Sequence, residues 1–276
     1  MSETEAFESF EQKWLAEHPE QRLVGVFLPV AQRGRASAFG TLVHELSHSA
    51  FHVREPQVAA AKLEWWQREL HEAAHGKPKH PVSKMLFADA ARQADPALWP
   101  ALAHGALLQL DQPGAGTLAA MIEQLEPFFV AVASAELALF GSDGGNVDAN
   151  AALWTLSHLL HELPHLTHGT ARLPVPLGLL ARHELVRADL AVPSPRRNLL
   201  VKDFLDELAL EINGALGVAA ARPLPLRVRT RLDRWRIARA LNTTDPLAHL
   251  QRHPQAGHWK ALWTVWREAR GHALNS

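Results

Sequence analysis

Residues 44–82 read HELSHSAFHVREPQVAAAKLEWWQRELHEAAHGKPKHPV. The run divides at Arg54-Glu55-Pro56. Proline breaks a helix from within, yet fits the first turn of a new one, where its missing N–H is not needed. Upstream, Arg35 to Val53 has helical spacing. Downstream, Gln57 to Ala74 is rich in Ala, Leu, Glu and Lys, strong helix formers, and Gly76-Lys77-Pro78 stops it. Two consecutive helices are predicted. The second carries Trp65-Trp66, whose expected role is packing against neighbouring helices, with one of the pair turned to solvent.

The same reading extends in both directions. Ala6 to Glu17 is helical and ends at His18-Pro19. Further helices are predicted over Pro81 to Gln93, Pro96 to Leu110, Thr117 to Leu125, Asp148 to Leu163, Leu177 to Ala188, Arg197 to Leu216, Leu224 to Leu241 and Gly257 to Ala273. Pro127 to Leu139 is apolar nearly all round, the pattern of a central buried helix. Ser142-Asp143-Gly144-Gly145 reads as a loop. Alternating strand patterns and fixed-period repeats are both missing. Periodicity therefore gives an all-α fold of about ten helices.

With 276 residues, 47% hydrophobic and 21% charged, the chain can bury the core of one large domain or two small ones. The net charge of −1 and the lack of a charge block argue against a nucleic-acid partner. No cysteine is present, which excludes disulfides and thiol catalysis and is compatible with a reducing cytosol. The opening MSETEAFESFEQKW is acidic and has no signal-peptide core. The longest apolar run, Pro127 to Phe140, holds Glu136 and falls short of the roughly 20 residues that span a bilayer. A cytoplasmic protein with no transmembrane segment, and at most peripheral membrane contact, is expected. The 17 histidines, nine tryptophans and absence of tyrosine are unusual.

The run KLEWWQREL followed by GKPKHPV resembles the squalene/phytoene synthase family, the head-to-head prenyl transferases. Leu28-Pro29 with Arg33 is similar to the family's LPxxxR. Phe140-Gly141 is similar to its LFG, Ala152-Leu153 through Leu160 to its ALxLxNILRD helix, and Gly169 with Leu173-Pro174 to the end of RGRxYLP. The tryptophan-pair motif is the specific one, and the others fall in the right order. The resemblance covers residues 20–240 and leaves 241–276 as a C-terminal helical extension. It implies a single domain, 1–276, with an isoprenoid-synthase-like helical fold around a central cavity. It also implies chemistry. In the synthases, one DxxxD on each of two facing helices holds Mg²⁺, which neutralises the departing diphosphate. Carboxylates four residues apart share a helical face and can share such ions.

This chain departs from that pattern at every catalytic motif. The first DxxxD falls on Ser47 and Phe51. The second falls on His158, Glu162 and Leu166, with His165 beside it, so one carboxylate is left. Glu20-Gln21-Arg22 stands for SFY. Val132 to Leu137 stands for VAGxVG without its glycines. Gln109 and Gly114 stand for the ends of DLxxxRY, and His168-Gly169-Thr170 for the basic pair of RGRxY. Landmarks kept and reactive groups lost imply a pseudoenzyme that binds an isoprenoid or lipid, or works with a protein partner as an assembly or scaffold factor. Some relatives of this fold serve respiratory complex I in that way. A working prenyl transferase with atypical ligands is an alternative.

A further alternative lies in the histidines. His44-Glu45-Leu46-Ser47-His48 and His161-Glu162-Leu163-Pro164-His165 are both HExxH, a zinc-peptidase signature. ExxH on two helices also occurs in di-iron bundles. Histidine in place of aspartate moves metal preference from Mg²⁺ toward Zn²⁺, Fe²⁺ or Mn²⁺. At about 100° per residue, His44 and His48 reach the cavity rim while Glu45 points nearly opposite. His158, Glu162 and His165 share one face, but Pro164 removes a backbone N–H a peptidase helix needs. The candidate metal set is therefore His44, His48, His158, Glu162 and His165, set against histidines that merely coat polar faces and a wet cavity. The arginine-rich Arg227 to Arg239 reads as an amphipathic helix, its charges outward or toward an anionic lipid or acidic partner. Trp259, Trp263 and Trp266 have the spacing of a stripe packed on the body.

Overall fold

A computed structural model describes residues 3–88, 90–141, 145–167, 173–219, 221–253 and 255–273. Among them are thirteen α-helices and no strand. They are α1 (Glu3–Glu17), α2 (Glu20–Phe27), α3 (Val30–Phe51), α4 (Pro56–Ala74), α5 (Pro81–Leu86), α6 (Leu98–Leu107), α7 (Leu118–Phe140), α8 (Val147–Glu162), α9 (Leu177–Arg182), α10 (Pro195–Val218), α11 (Leu224–Leu241), α12 (Pro246–Arg252) and α13 (His258–Ala273). Their starts follow local chemistry. Thr117, Asn146, Ser194 and Asp245 each accept a hydrogen bond from the backbone N–H three residues on, satisfying a donor the helix leaves open. Pro56 sits in the first turn of α4, as its sequence predicts.

The tryptophan-pair motif is a structural clamp. Trp66 is fully buried and Trp65 is partly exposed. His80 meets both indoles edge-on, at ring-centre distances of 5.6 Å from Trp65 and 4.7 Å from Trp66. Buried Glu69 accepts from the backbone N–H groups of Lys79 and His80, each at 2.8 Å. His80 Nδ1 then accepts from Val82 N–H and starts α5. One carboxylate thus fixes the α4–α5 turn by holding main chain.

Four sequence expectations need correction. Thr117–Leu125 and Pro127–Leu139 form one 23-residue helix, α7, with Pro127 inside it. The proline sits where α6 comes closest: a side chain on Gly105 would lie 2.6 Å from the Pro127 carbonyl. Fused in this way, α7 is long and apolar enough to cross a bilayer, so the length argument against such a segment fails. In this fold α7 packs between α6 and α8. Second, α2 and α12 are helices of eight and seven residues strung between prolines, too short for the sequence reading to pick out. Third, Pro81–Gln93 breaks after Leu86 into a 3₁₀ turn, and Leu177–Ala188 stops at Arg182, two residues before Glu184 with φ of 53°. Fourth, Trp259 and Trp263 of α13 face solvent. Trp263 stacks on Trp266 at 4.9 Å, and α13 meets α2 and α11 through Ala261, Thr264 and Val265, all buried. Residues 142–144 of the predicted loop and His168-Gly169-Thr170 lie outside the described residues.

Candidate functional site

A cavity of about 1370 Å³ opens between α1, α2, α3, α7, α8 and α11. Trp14, Phe39, Phe129 and Phe140 give it apolar wall. Neither Phe51 nor Leu166 fills it. Phe51 packs on the His158 ring at 4.3 Å and lines a small adjoining recess, while Leu166 is buried in the core. Ser47, His44, His48, His158, Glu162 and His165 all line the main cavity. Glu45 does not, as its helical angle predicts; it is buried against α4 and pairs with Lys62 at 3.0 Å.

The α3–α8 wall is a file of imidazoles. His44, His48 and His52 recur every four residues along one face of α3 and its end, with ring centres 6.3 and 5.6 Å apart. His52 reaches His165 at 5.6 Å and donates to Glu162 Oε1 at 3.0 Å. His158 Nδ1 lies 3.9 Å from the same oxygen. Burial pushes the Glu162 carboxyl up, but the His52 hydrogen bond and the surrounding imidazoles outweigh it and hold the group down at about 2. Reciprocally, that bond raises His52 above the usual histidine range. His44, with Glu17 of α1 at 3.6 Å, is pushed down to about 4, chiefly by burial. Among the described residues, no three His, Asp or Glu side chains are arranged to hold a metal ion. The fourfold spacing of His44, His48 and His52 was readable in the sequence, yet His52 was missed.

Magnesium does not fit this wall. It takes hard oxygen ligands in near-octahedral geometry. Among the described residues of α3 and α8, Glu162 is the one carboxylate that lines the cavity; Glu17 approaches from α1, and each faces a histidine.

The opposite corner is built from α11, with α2 and α8. Arg229, Asp233 and Arg236 follow i, i+4, i+7 spacing and point inward, all buried. The expectation of an outward charged face on this helix holds for Arg234 and Arg239 and fails for these three. Arg229 lies over the Trp154 ring at 4.5 Å, and Trp154 Nε1–H donates to buried Glu136 at 2.8 Å. Burial raises Glu136 to about 7. His161 Nε2 lies 2.9 Å from Arg236 Nη1 and 3.1 Å from Asp233 Oδ1. That nitrogen can accept from the guanidinium or donate to the carboxylate, not both. His18 lies tilted beside His161, ring centres 5.4 Å apart. Burial, then Arg229 and the neighbouring histidines, push His18 well below the usual range.

No family model matches this sequence, and no curated protein matches it. Solved structures do. A dehydrosqualene synthase crystallised with a ligand superposes with a TM-score of 0.71 over 99% of this chain and 98% of its own, at 14% identity. Squalene synthase HpnC from Alicyclobacillus acidocaldarius superposes with a TM-score of 0.62 over 90% of this chain and 93% of its own, also at 14% identity. Both motif resemblance and superposition lead to one conclusion: this chain has the all-helical fold of the squalene and dehydrosqualene synthases.

Proposed function

We propose that this protein is a divergent member of the squalene/phytoene synthase family that keeps the cavity as a binding site for an isoprenoid or lipid and does not couple prenyl diphosphates. One observation carries the reading. The cavity is open and walled by aromatic side chains, while the two facing helices present histidines and a single carboxylate, Glu162, engaged by His52. Such a pocket can solvate a long hydrocarbon but lacks the paired carboxylates that gather Mg²⁺ on a diphosphate. A cytoplasmic location with peripheral membrane contact belongs to the same proposal. So does a scaffold or assembly role beside a protein partner.

The test has two arms. Solvent extraction of the purified protein followed by mass spectrometry is expected to return a long-chain lipid. Pyrophosphate release from farnesyl and geranylgeranyl diphosphate is expected to stay at background with Mg²⁺, Mn²⁺, Zn²⁺ and Fe²⁺. Turnover with Mg²⁺ would reinstate the prenyl transferase and end the pseudoenzyme reading.

A second reading is a Zn²⁺, Fe²⁺ or Mn²⁺ site made from His44, His48, His158, Glu162 and His165. It is favoured by the approach of His52, His158 and His165 to Glu162, and it requires those side chains to turn toward a common point. Stoichiometric metal in protein purified without chelator supports it, and metal content far below one per chain removes it.

A further inference from the structure

Arg229 is a buried cation that no carboxylate engages by hydrogen bond or ion pair; Glu136 and Glu20 feel its charge only from further off. It is 9% exposed and lines the cavity. Among the described residues it makes no ion pair and no hydrogen bond; its one close partner is the face of Trp154. A buried, unpaired guanidinium is costly, because its hydration is lost and nothing replaces it. The neighbouring charges do not cancel it. Asp233 faces Arg236 at 3.8 Å, and that pair is closed on itself with His161. Glu136 accepts from Trp154, and burial favours its protonated form, as it does for Glu20. His18 and His161 are kept neutral by burial and by the two guanidinium groups. The corner therefore holds a buried guanidinium, Arg229, whose N–H donors no protein carboxylate takes up. The histidine wall across the cavity differs, since His52 is matched by Glu162 and Lys62 by Glu45.

We infer that Arg229 receives the anionic head of the cavity's ligand, a carboxylate or phosphate monoester on a long apolar chain. This rests on the binding reading above and adds the polarity and placement of the ligand. A guanidinium offers two parallel N–H donors to either oxyanion. The Trp154 ring lies 4.5 Å under the guanidinium carbon and holds it in place, and Trp14, Phe39, Phe129 and Phe140 line the room for the tail. The head thus lies at Arg229 of α11, a residue outside the α3 and α8 positions that correspond to the aspartate motifs.

Three probes with one tail separate the possibilities: farnesoic acid, farnesyl monophosphate and farnesol, titrated calorimetrically below their aggregation limits. At least one anion is expected to bind about ten-fold or more tighter than the alcohol, the range of a charge-assisted hydrogen bond. Which anion is tighter identifies the oxyanion. In Arg229→Gln the gap between anion and alcohol is expected to close, and in Arg229→Lys to persist in part. Equal affinity for acid, phosphate and alcohol in the wild-type protein overturns the inference without recourse to any variant. So does a gap that survives in a folded Arg229→Gln protein. Farnesol binding alone would leave the cavity reading standing while sinking this one. Failure of all three probes overturns both.

Discussion

The two sides of the cavity handle charge in opposite ways. On the α3–α8 side, two carboxylates serve the file of histidines across a partly wet surface: Glu162 with His52 and His158, Glu17 with His44. In the α11 corner two guanidinium groups are buried among neutral histidines, and only Arg236 has a paired carboxylate, Asp233. The first side is balanced and adjustable. The second is strained electrostatically, and each of its members depends on the others. The family resemblance draws the eye to the first side, because the aspartate motifs map there. The unusual energetics lie on the second.

The sharpest way to break this contrast is Asp233→Ala. It strands Arg236, which is 4% exposed, and removal of one partner from a buried ion pair costs about 3–5 kcal/mol. Urea unfolding measures the loss. Adding Arg236→Met to the same protein is expected to recover most of it, since the uncompensated charge leaves too. No recovery would mean that Asp233 acts through packing rather than charge.

Glu136→Gln is expected to stabilise, and only at high pH. The native carboxyl is raised from 4.5 to about 7. The folded state therefore holds a proton that the unfolded state releases, and wild-type stability falls as pH rises from 4.5 through 7. Glutamine keeps an acceptor for Trp154 and has no proton to lose. Thermal melts should coincide near pH 4 and favour the variant above pH 7 by about 1–3 kcal/mol. A variant less stable at pH 8 would show that the fold favours the carboxylate and that the Glu136 pKa is not raised.

On the histidine side, Glu162→Gln is expected to cost about 1–2 kcal/mol, a charge-assisted bond discounted for partial exposure. Here the sign runs both ways. The contribution of Glu162, depressed from 4.5 to about 2, is present above pH 4.5 and lost as pH falls toward 2. That of His52, raised above 6.5, is present below pH 6.5 and lost as pH climbs beyond its folded value. The cost should therefore be largest between pH 4.5 and 6.5. A pH-independent cost would point to shape instead.

The smallest effect is a pair of titration curves. Histidine NMR should place His44 near 4 and His52 above 6.5, although both lie along the same face of α3 and its end. Matching midpoints would erase the distinction between a buried and a carboxylate-held imidazole within that wall.

What the sequence made legible divides along physical lines. Long helices with strong periodicity or clear caps were readable, α4, α8, α10 and α11 among them. Pro127 misled because proline at a predicted start and proline inside a continuous helix look alike until Gly105 is seen pressed against it. The fold was legible from Trp66, Glu69 and His80 because their task is local: a carboxylate, two amides and three rings meeting edge-on within some fifteen residues. The histidine wall was partly legible, since helical angle alone sends His44 and His48 inward and Glu45 away. The arginine corner was not. Arginine every few residues reads as surface, and only the partners brought by α2 and α8 show that Arg229, Asp233 and Arg236 are interior.

Glu69 has a consequence of its own. Its two bonds go to main-chain amides, so the turn it fixes does not depend on what stands at 47, 51, 158 or 162. The frame and the reactive surface are mechanically separate parts. That makes the protein a host for grafting: aspartates reinstalled on α3 and α8 would meet a scaffold already rigid, and any activity gained or withheld could be attributed to the graft itself.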